Sequence, residues 1–285
     1  MPLATAVDGT QIHYQALEPA RPSSLPPVVL IHGIGLSGRF WFGMPEQIAN
    51  HAQHPRRVVV VDNRGTGKSG RPLGVYPVPM MAEDVRAVLD AEHVSRAVVV
   101  GISMGGMVAQ ELALRHPQRV GGLVLMATTA GLPHGRLPSP QALMTLLGLA
   151  LPGTPSMDVV RLMISERDVA RAAALMAPWP AAMREDPISP ASLLSQFAGC
   201  AVHSTGFRLH TIRCPTVVIA GQEDVLMPPV NSERIAARIP GAHLELLPNV
   251  AHAIPTQDEA VVERALLRLL QLDGTIPRSS ASATG

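Results

Sequence analysis

The sequence is poor in cysteine, in aromatic residues and in charge. Two of its 285 residues are cysteines, and 3% are aromatic. Charged residues make up 16% of the chain, against about 25% in an average soluble protein. Cys200 and Cys214 are too few for a disulfide framework, and neither has a histidine or cysteine partner at the spacing of a zinc site. We therefore expect a reducing compartment and no metal centre.

The sequence also lacks a long basic run, a signal peptide and a membrane-spanning stretch. Basic and acidic residues number 23 and 22, and no basic run exceeds two residues, so we expect no nucleic-acid partner. Residues 1–10 show no basic start followed by an apolar run. The longest strongly apolar stretch, 142–151, is shorter than the roughly 20 residues that cross a bilayer. We expect a soluble, cytoplasmic protein without a membrane partner, and the sequence does not indicate its oligomeric state.

Continuous apolar runs alternate with helical patterns along most of the chain. Such runs are typical of strands buried on both faces, as in a parallel sheet. They cover 28–32, 58–62, 97–102, 120–127 and 216–220, and a more alternating run covers 243–247. The helical patterns cover 45–51, 80–92, 104–116, 230–239 and 259–272. This order predicts an α/β fold with a doubly wound, mostly parallel sheet.

Residues 131–210 break the alternation, because they hold nine prolines and no strand-like run. Short helical patterns lie between the prolines, at 141–151, 157–164, 169–176 and 191–202. We interpret this segment as a helical cap inserted into a core that consists of 1–130 and 211–272. The polar tail, 273–285, is predicted to be disordered.

The strongest chemical signal is a serine flanked by glycines, at Gly101, Ser103 and Gly105. It follows a buried strand and begins a helix, which is the context of a nucleophile elbow. A serine on such a turn takes a strained backbone conformation, so the residues two before and two after it must be small. The turn exposes Oγ of Ser103, and the following helix directs its positive end at the site. Ser103 is the predicted nucleophile.

A serine nucleophile needs a base, and the base needs an acid that orients it. In this architecture the acid and then the base follow the serine along the chain. Glu223 and Asp224 compete for the acid after the run 216–220, and Asp224 is favoured because a short carboxylate suits a buried partner. His252 alone among the eleven histidines follows the last strand and precedes the last helix. Most of the others, His13 included, are expected to be exposed.

Two further loops follow predicted strands. The sequence His-Gly-Ile-Gly at 32–35 allows the backbone N–H of Ile34, with that of Met104, to bind the negative oxygen formed when a serine attacks a carbonyl. The stretch 62–69 ends in Gly-Lys-Ser like a phosphate-binding loop. Asp62 occupies the position of the first glycine of that motif, and Pro72 and Gly74 interrupt any following helix. We therefore expect no nucleotide and no other cofactor.

The chain resembles the α/β-hydrolase superfamily over about 10–272. The resemblance rests on the stretches 32–35, 62–69 and 101–106, with Asp224 and His252, and 103–117 is most similar to 3-oxoadipate enol-lactonases and related small esterases. It implies a catalytic triad of Ser103, Asp224 and His252, oxyanion donors at Ile34 and Met104, and a helical cap. In that family 62–69 is a structural loop. A serine at 103 argues against dehalogenases and epoxide hydrolases, which use aspartate.

The predicted activity is hydrolysis of a carboxylic ester or lactone of a small, largely apolar molecule, through an acyl-enzyme on Ser103. Two enzymatic alternatives use the same residues: cleavage of a carbon–carbon bond in a vinylogous diketone, and a cofactor-free perhydrolase reaction of the haloperoxidase type. A binding protein on an inactive hydrolase fold is a third alternative, against which the intact triad argues.

The few aromatic residues cluster on two segments that are expected to face each other. Phe40 and Trp41 follow the loop at 32–35, and Trp179 and Phe197 lie in the predicted cap. These four rings are the predicted walls of an apolar substrate pocket. The alternative is that they only join the cap to the core.

Overall fold

The structure is a computed structural model that describes residues 2–148 and 157–277. The end of the predicted helix 141–151 lies outside the described residues. Most of the predicted disordered tail, from 278 onward, lies outside them as well.

A single eight-stranded sheet forms the centre of the molecule. In chain order the strands are β1 (Leu3–Thr5), β2 (Gln11–Leu17), β3 (Val28–Ile31), β4 (Val58–Val61), β5 (Ala97–Ile102), β6 (Val120–Met126), β7 (Thr216–Gly221) and β8 (His243–Leu247). They lie in the order β1-β2-β4-β3-β5-β6-β7-β8. All pairs from β4 to β8 are parallel, whereas β1 and β2 pair antiparallel at one edge. The prediction of a doubly wound, mostly parallel sheet is confirmed.

The six predicted strands are all present, with ends within one residue of the prediction. β3, β4, β5 and β7 are buried at every position, as expected for strands covered on both faces. The sequence did not predict β1 and β2. β2 reads Gln-Ile-His-Tyr-Gln-Ala-Leu, a mixture of polar and apolar residues without a continuous apolar run.

Helices cover both faces of the sheet. Those outside the β6–β7 connection are α1 (Met44–Ala49), α2 (Val78–Ala91), α3 (Met104–Arg115), α9 (Val230–Ala236), α10 (Ile254–Gln257) and α11 (Val261–Leu272). Buried side chains of α2, α3 and α9 share one apolar cluster, and those of α1 and α11 share another on the opposite face. The α2 side chains of Met81, Val85, Val88 and Leu89 are buried. No helix among the described residues is long and apolar enough to cross a membrane.

The connection between β6 and β7 is helical in its described part. It contains α4 (Pro140–Leu147), α5 (Met157–Met163), a 3-10 turn (Glu166–Arg171), α6 (Ala172–Leu175), α7 (Trp179–Glu185) and α8 (Pro190–Ala201). Two of these helices, α4 and α8, begin with a proline, because a proline at the first helical position needs no N–H partner. Ser139 and Ser189 cap α4 and α8 by accepting hydrogen bonds from backbone N–H groups. The prolines that break the sheet pattern therefore start helices here.

An apolar cluster joins this connection to the loops at the carboxyl ends of the strands. It contains Phe40, which follows β3, with Leu226 and Ala253, which follow β7 and β8. Trp179 and other side chains of the β6–β7 connection complete it. The connection therefore covers the edge of the sheet at which open α/β folds bind their ligands.

Candidate active site

Ser103 lies on a strained turn between β5 and α3. Its backbone angles are φ 56° and ψ −121°, a region that residues other than glycine rarely adopt. Two hydrogen bonds hold the turn: Ser103 N–H donates to Met126 O at 2.9 Å, and Thr128 Oγ1 donates to Ser103 O at 2.7 Å. β6 and the residues after it thus hold Ser103 in the strained conformation that was predicted from its flanking glycines.

The glycines on either side of Ser103 are sterically required. A methyl group on Gly101 would come within 2.3 Å of Gly105 O, and one on Gly105 within 2.1 Å of Ile31 O. Both contacts are with backbone atoms, which a side-chain movement cannot relieve. The steric argument made from the sequence is confirmed.

His252 and Asp224 form a buried hydrogen-bonded pair. His252 Nδ1 lies 2.8 Å from Asp224 Oδ2, and the other carboxylate oxygen accepts from the backbone N–H groups of Leu226 and Met227 at 2.9 and 2.8 Å. The Asp224 side chain is completely buried, and that of His252 is 10% exposed. A carboxylate only accepts hydrogen bonds, so the proton of a neutral His252 lies on Nδ1 and the lone pair on Nε2. Among the described residues, Ser103 Oγ forms no hydrogen bond with this imidazole.

The loop at 32–35 lies directly against Ser103. A Cβ atom on Gly33 would lie 3.6 Å from Ser103 Oγ. Gly33 N–H donates to His32 Nδ1 and Gly35 N–H donates to Gln196 Oε1, each at 2.8 Å. The N–H of Ile34, between these two, donates to no described residue. Internal partners therefore fix the N–H groups on both sides of Ile34.

His32 stays neutral beside this loop. Burial, and secondarily the electrostatic influence of His252, lower the pKa of His32 to about 3. Its ring contacts those of Trp41 and Phe40, with centroids 5.1 and 6.1 Å apart. Ser103, Asp224 and His252 each follow the carboxyl end of one of the parallel strands β5, β7 and β8, so the three predicted triad residues lie at the same edge of the sheet.

The predicted pocket residues do not all lie together. Phe40 and Trp179 are in edge contact, with ring centroids 5.2 Å apart. Trp41 is buried in the cluster shared with α1 and α11, on one face of the sheet. Phe197 is half-buried on α8 and has no ring contact in the described part of the chain. The structure brings Phe40 and Trp179 together, and neither Trp41 nor Phe197 joins them.

The carboxylate of Asp62, the first residue of the stretch 62–69, accepts hydrogen bonds from within this loop and from neighbouring segments. Asp62 accepts hydrogen bonds from Gly38 N–H at 2.7 Å and from Lys68 N–H at 3.0 Å. Its Oδ2 lies 2.8 Å from His13 Nδ1, and His13 is only 3% exposed. The expectation of an exposed His13 is wrong, because its hydrogen bond to this carboxylate stabilises the ring in the interior. The described residues contain no group of three or more His, Cys, Asp or Glu side chains that could hold a metal ion.

Two glutamines near the site were not found from the sequence. Gln196 of α8 is fully buried; it accepts from Gly35 N–H and donates to Arg64 O at 2.9 Å. Gln257 of α10 accepts from Ala251 N–H at 2.8 Å, one residue before His252. The one sequence signal that could have indicated either glutamine is a polar residue on the apolar face of a helix, as at Gln196.

The chain is similar to known proteins of the alpha/beta hydrolase fold. A profile for the alpha/beta hydrolase fold matches residues 26–157. A putative carbamate hydrolase RutD of Variovorax paradoxus (strain S110) is 30% identical over 273 residues, which span 91% of this chain and 96% of the relative.

Two solved structures extend the similarity to three dimensions. The structure described as Est816, an N-acyl homoserine lactone degrading enzyme, is 29% identical, with a TM-score of 0.76 over 94% of this chain and 99% of that one. The enol-lactonase from Burkholderia xenovorans LB400 shares the fold at 23% identity, with a TM-score of 0.80 over 95% of this chain and 100% of that one. From the sheet, the serine turn and these relatives together, the chain belongs to the α/β-hydrolase family.

Proposed function

We propose that this protein hydrolyses a carboxylic ester or lactone of a small, largely apolar molecule through an acyl-enzyme on Ser103. The observation that carries the proposal is the buried Asp224–His252 pair, at the ends of β7 and β8, on the same edge of the sheet as the strained serine turn. Esterases and lactonases among the structural relatives support it.

In the proposed reaction each of these groups has a separate role. His252 Nε2 takes the proton of Ser103 Oγ as the oxygen attacks the carbonyl carbon, while Asp224 holds the imidazole in its tautomer and stabilises the imidazolium. Ile34 N–H and Met104 N–H bind the resulting oxyanion. His252 then gives its proton to the leaving alcohol, and a water molecule releases the acid from Ser103 by the same steps.

The surroundings favour an apolar acyl group. Phe40 and Trp179 belong to the same apolar cluster as Leu226 and Ala253, which are close along the chain to Asp224 and His252. An acyl chain next to the reacting carbonyl would therefore contact aliphatic and aromatic side chains.

The direct test replaces Ser103 by alanine and measures hydrolysis of an activated short-chain ester. We expect kcat/KM to fall by several orders of magnitude, because the nucleophile is lost. Ser95→Ala is a matched control: Ser95 is exposed and precedes β5, at the opposite end of the sheet, so its replacement should leave the rate unchanged. A Ser103→Ala protein with the wild-type rate would contradict the proposal.

A fluorophosphonate probe and two further substrates separate the alternatives. We expect one covalent adduct, on Ser103, and faster turnover of an ester or lactone than of a vinylogous diketone. Peroxide-dependent bromination in acetate buffer should be slower than ester hydrolysis. Absence of the adduct would favour a binding protein, and preference for the diketone or for peroxide would favour the corresponding alternative.

A further inference from the structure

The loop that carries His252 is held on both sides by backbone hydrogen bonds. Ala253 N–H donates to Met163 O at 2.7 Å, and Ala251 N–H donates to Gln257 Oε1 at 2.8 Å. Met163 belongs to α5, in the connection between β6 and β7. The residue after His252 is therefore tied to this connection directly, and the residue before it is tied to a glutamine.

The amide of Gln257 reaches the same connection with its other end. Gln257 Nε2 donates to Ser165 Oγ at 3.0 Å and to Asp168 Oδ2 at 2.9 Å. Ser165 is 1% exposed and Asp168 is 8% exposed, so these groups meet away from water. Asp168 also lies 3.4 Å from Arg171 Nε. The half-buried amide of Gln257 accepts at its oxygen and donates at its nitrogen, so it has one favourable orientation here.

The acid loop has a contact with the same short segment. Glu223 Oε2 accepts from Glu166 N–H at 3.0 Å, one residue before Asp224. Residues 163–168, named here the brace, thus contact both loops that carry the acid–base pair. The brace lies 89 or more residues away from Gln257 along the chain. The β6–β7 connection is therefore hydrogen-bonded to the loops of both Asp224 and His252.

We propose that Gln257 is a positioning residue for His252, and that through it the brace fixes the imidazole for proton transfer. This proposal rests on the proposed function, because it assumes that His252 is the base. The polarity of the amide is essential: only a group that accepts from Ala251 N–H and also donates to Asp168 satisfies both partners. Misplacement of a catalytic group by about 1 Å can cost roughly 100-fold in rate.

A donor–acceptor exchange tests the proposal. In Gln257→Glu the introduced carboxylate can accept from Ala251 N–H, but it faces the Asp168 carboxylate across the same short distance. We expect kcat to fall about 10- to 100-fold with KM nearly unchanged, because the base moves while the pocket stays. In Gln257→Glu combined with Asp168→Asn, the asparagine amide can donate to the introduced carboxylate, and we expect most of kcat to return.

Matched controls separate positioning from general damage. Gln118→Glu adds the same charge at an exposed residue far from the site and should change neither kcat nor KM. The melting temperature of each variant is measured beside its kinetics. An unchanged kcat in Gln257→Glu overturns the proposal. So does a loss of kcat that the second substitution does not recover, because a loss caused by structural damage alone would not depend on donor polarity.

A measurement without turnover keeps this proposal distinct from the proposed function. The low-field proton resonance of His252 Nδ1–H reports its hydrogen bond to Asp224. We expect the resonance to weaken in Gln257→Glu and to recover in the double variant. If Ser103→Ala keeps full activity, the proposed function fails, and the resonance alone then tests whether Gln257 positions the ring. A resonance that is the same in all three proteins overturns the inference.

Discussion

The molecule contains two buried Asp–His pairs whose local geometry is nearly the same. His13 Nδ1 lies 2.8 Å from Asp62 Oδ2, and His252 Nδ1 lies 2.8 Å from Asp224 Oδ2. In each pair the carboxylate also accepts two backbone N–H groups. Distance, burial and hydrogen-bond count therefore do not distinguish the two.

The difference lies in what surrounds each ring. His13 is part of β2, and its backbone N–H donates to Ser69 Oγ at 2.8 Å. Its ring is hydrogen-bonded to Asp62 and thus joins the strand to the loop at 62–69. His252 lies on a loop beyond the carboxyl end of β8, on the sheet edge that carries the strained Ser103. The edge of the sheet does not distinguish the pairs, because Asp62 follows β4, which runs parallel to β3 and β5. His13 belongs to a strand, whereas His252 belongs to a loop. We expect only His252 to act as a base, and the His13–Asp62 pair to stabilise the fold.

The largest expected effect follows from replacing each histidine by glutamine. In His252→Gln we expect kcat/KM for an activated ester to fall roughly 10⁴-fold or more, with a melting temperature within a few degrees of wild type. In His13→Gln we expect the opposite: a lower melting temperature and kcat close to wild type. Steady-state kinetics and thermal unfolding of both proteins make the comparison. Equal losses of activity in the two variants would remove the distinction drawn between the pairs.

An intermediate effect is expected on stability when Asp62 is replaced by alanine. The substitution leaves His13, Gly38 N–H and Lys68 N–H without their acceptor in a buried site. We expect the free energy of unfolding to fall by about 3 kcal/mol, since breaking a buried, hydrogen-bonded pair leaves its partners unsatisfied. Urea unfolding monitored by circular dichroism measures it. A change below about 0.5 kcal/mol, the size of an ordinary surface substitution, would show that this pair does not stabilise the fold.

The smallest expected effect concerns His203, a buried histidine without a carboxylate. It is 4% exposed, and burial lowers its pKa to about 4. The unfolded chain binds this proton below about pH 6.5, whereas the folded protein binds it only below about pH 4. The stability contributed by the neutral ring is therefore complete above pH 6.5 and is lost as the pH falls toward 4.

The matching variant is His203→Leu, which cannot titrate. When the pH is lowered from 7 to 5, the free energy of unfolding of the wild type should fall by about 2 kcal/mol more than that of His203→Leu. Other groups that titrate in this range, such as His32, are common to both proteins and cancel in the difference. Urea unfolding of the two proteins at each pH provides the comparison. Parallel pH profiles would mean that the pKa of His203 is the same in the folded and unfolded protein, and would contradict the prediction.

The parts of the fold that the sequence predicted are those with a local cause. β4 is four consecutive valines, and a continuous apolar run is a direct consequence of burial on both faces. β2 escaped prediction because its burial follows from long-range partners: His13 is buried by Asp62, 49 residues away. A sequence pattern contains no information on such a pairing.

The candidate site likewise contains features with a local cause and features that depend on distant residues. Ser103 was recognised because its glycines are required by contacts within the turn and with the adjacent strand. Gln196 and Gln257 were missed, because they contact residues 161 and 92 positions away. Their roles depend on how the β6–β7 connection packs on the core, which no local pattern specifies.

Gln196 and Gln257 have a consequence for the exchange of segments between relatives. Gln196 lies within the β6–β7 connection and contacts the core, whereas Gln257 lies in the core and contacts the connection. A chimaera that receives residues 131–210 from this chain acquires the first contact automatically. The second contact is lost unless the recipient has a residue that can donate a hydrogen bond to Asp168 at the position equivalent to Gln257. Transplantation of the connection therefore needs one substitution outside the transplanted segment.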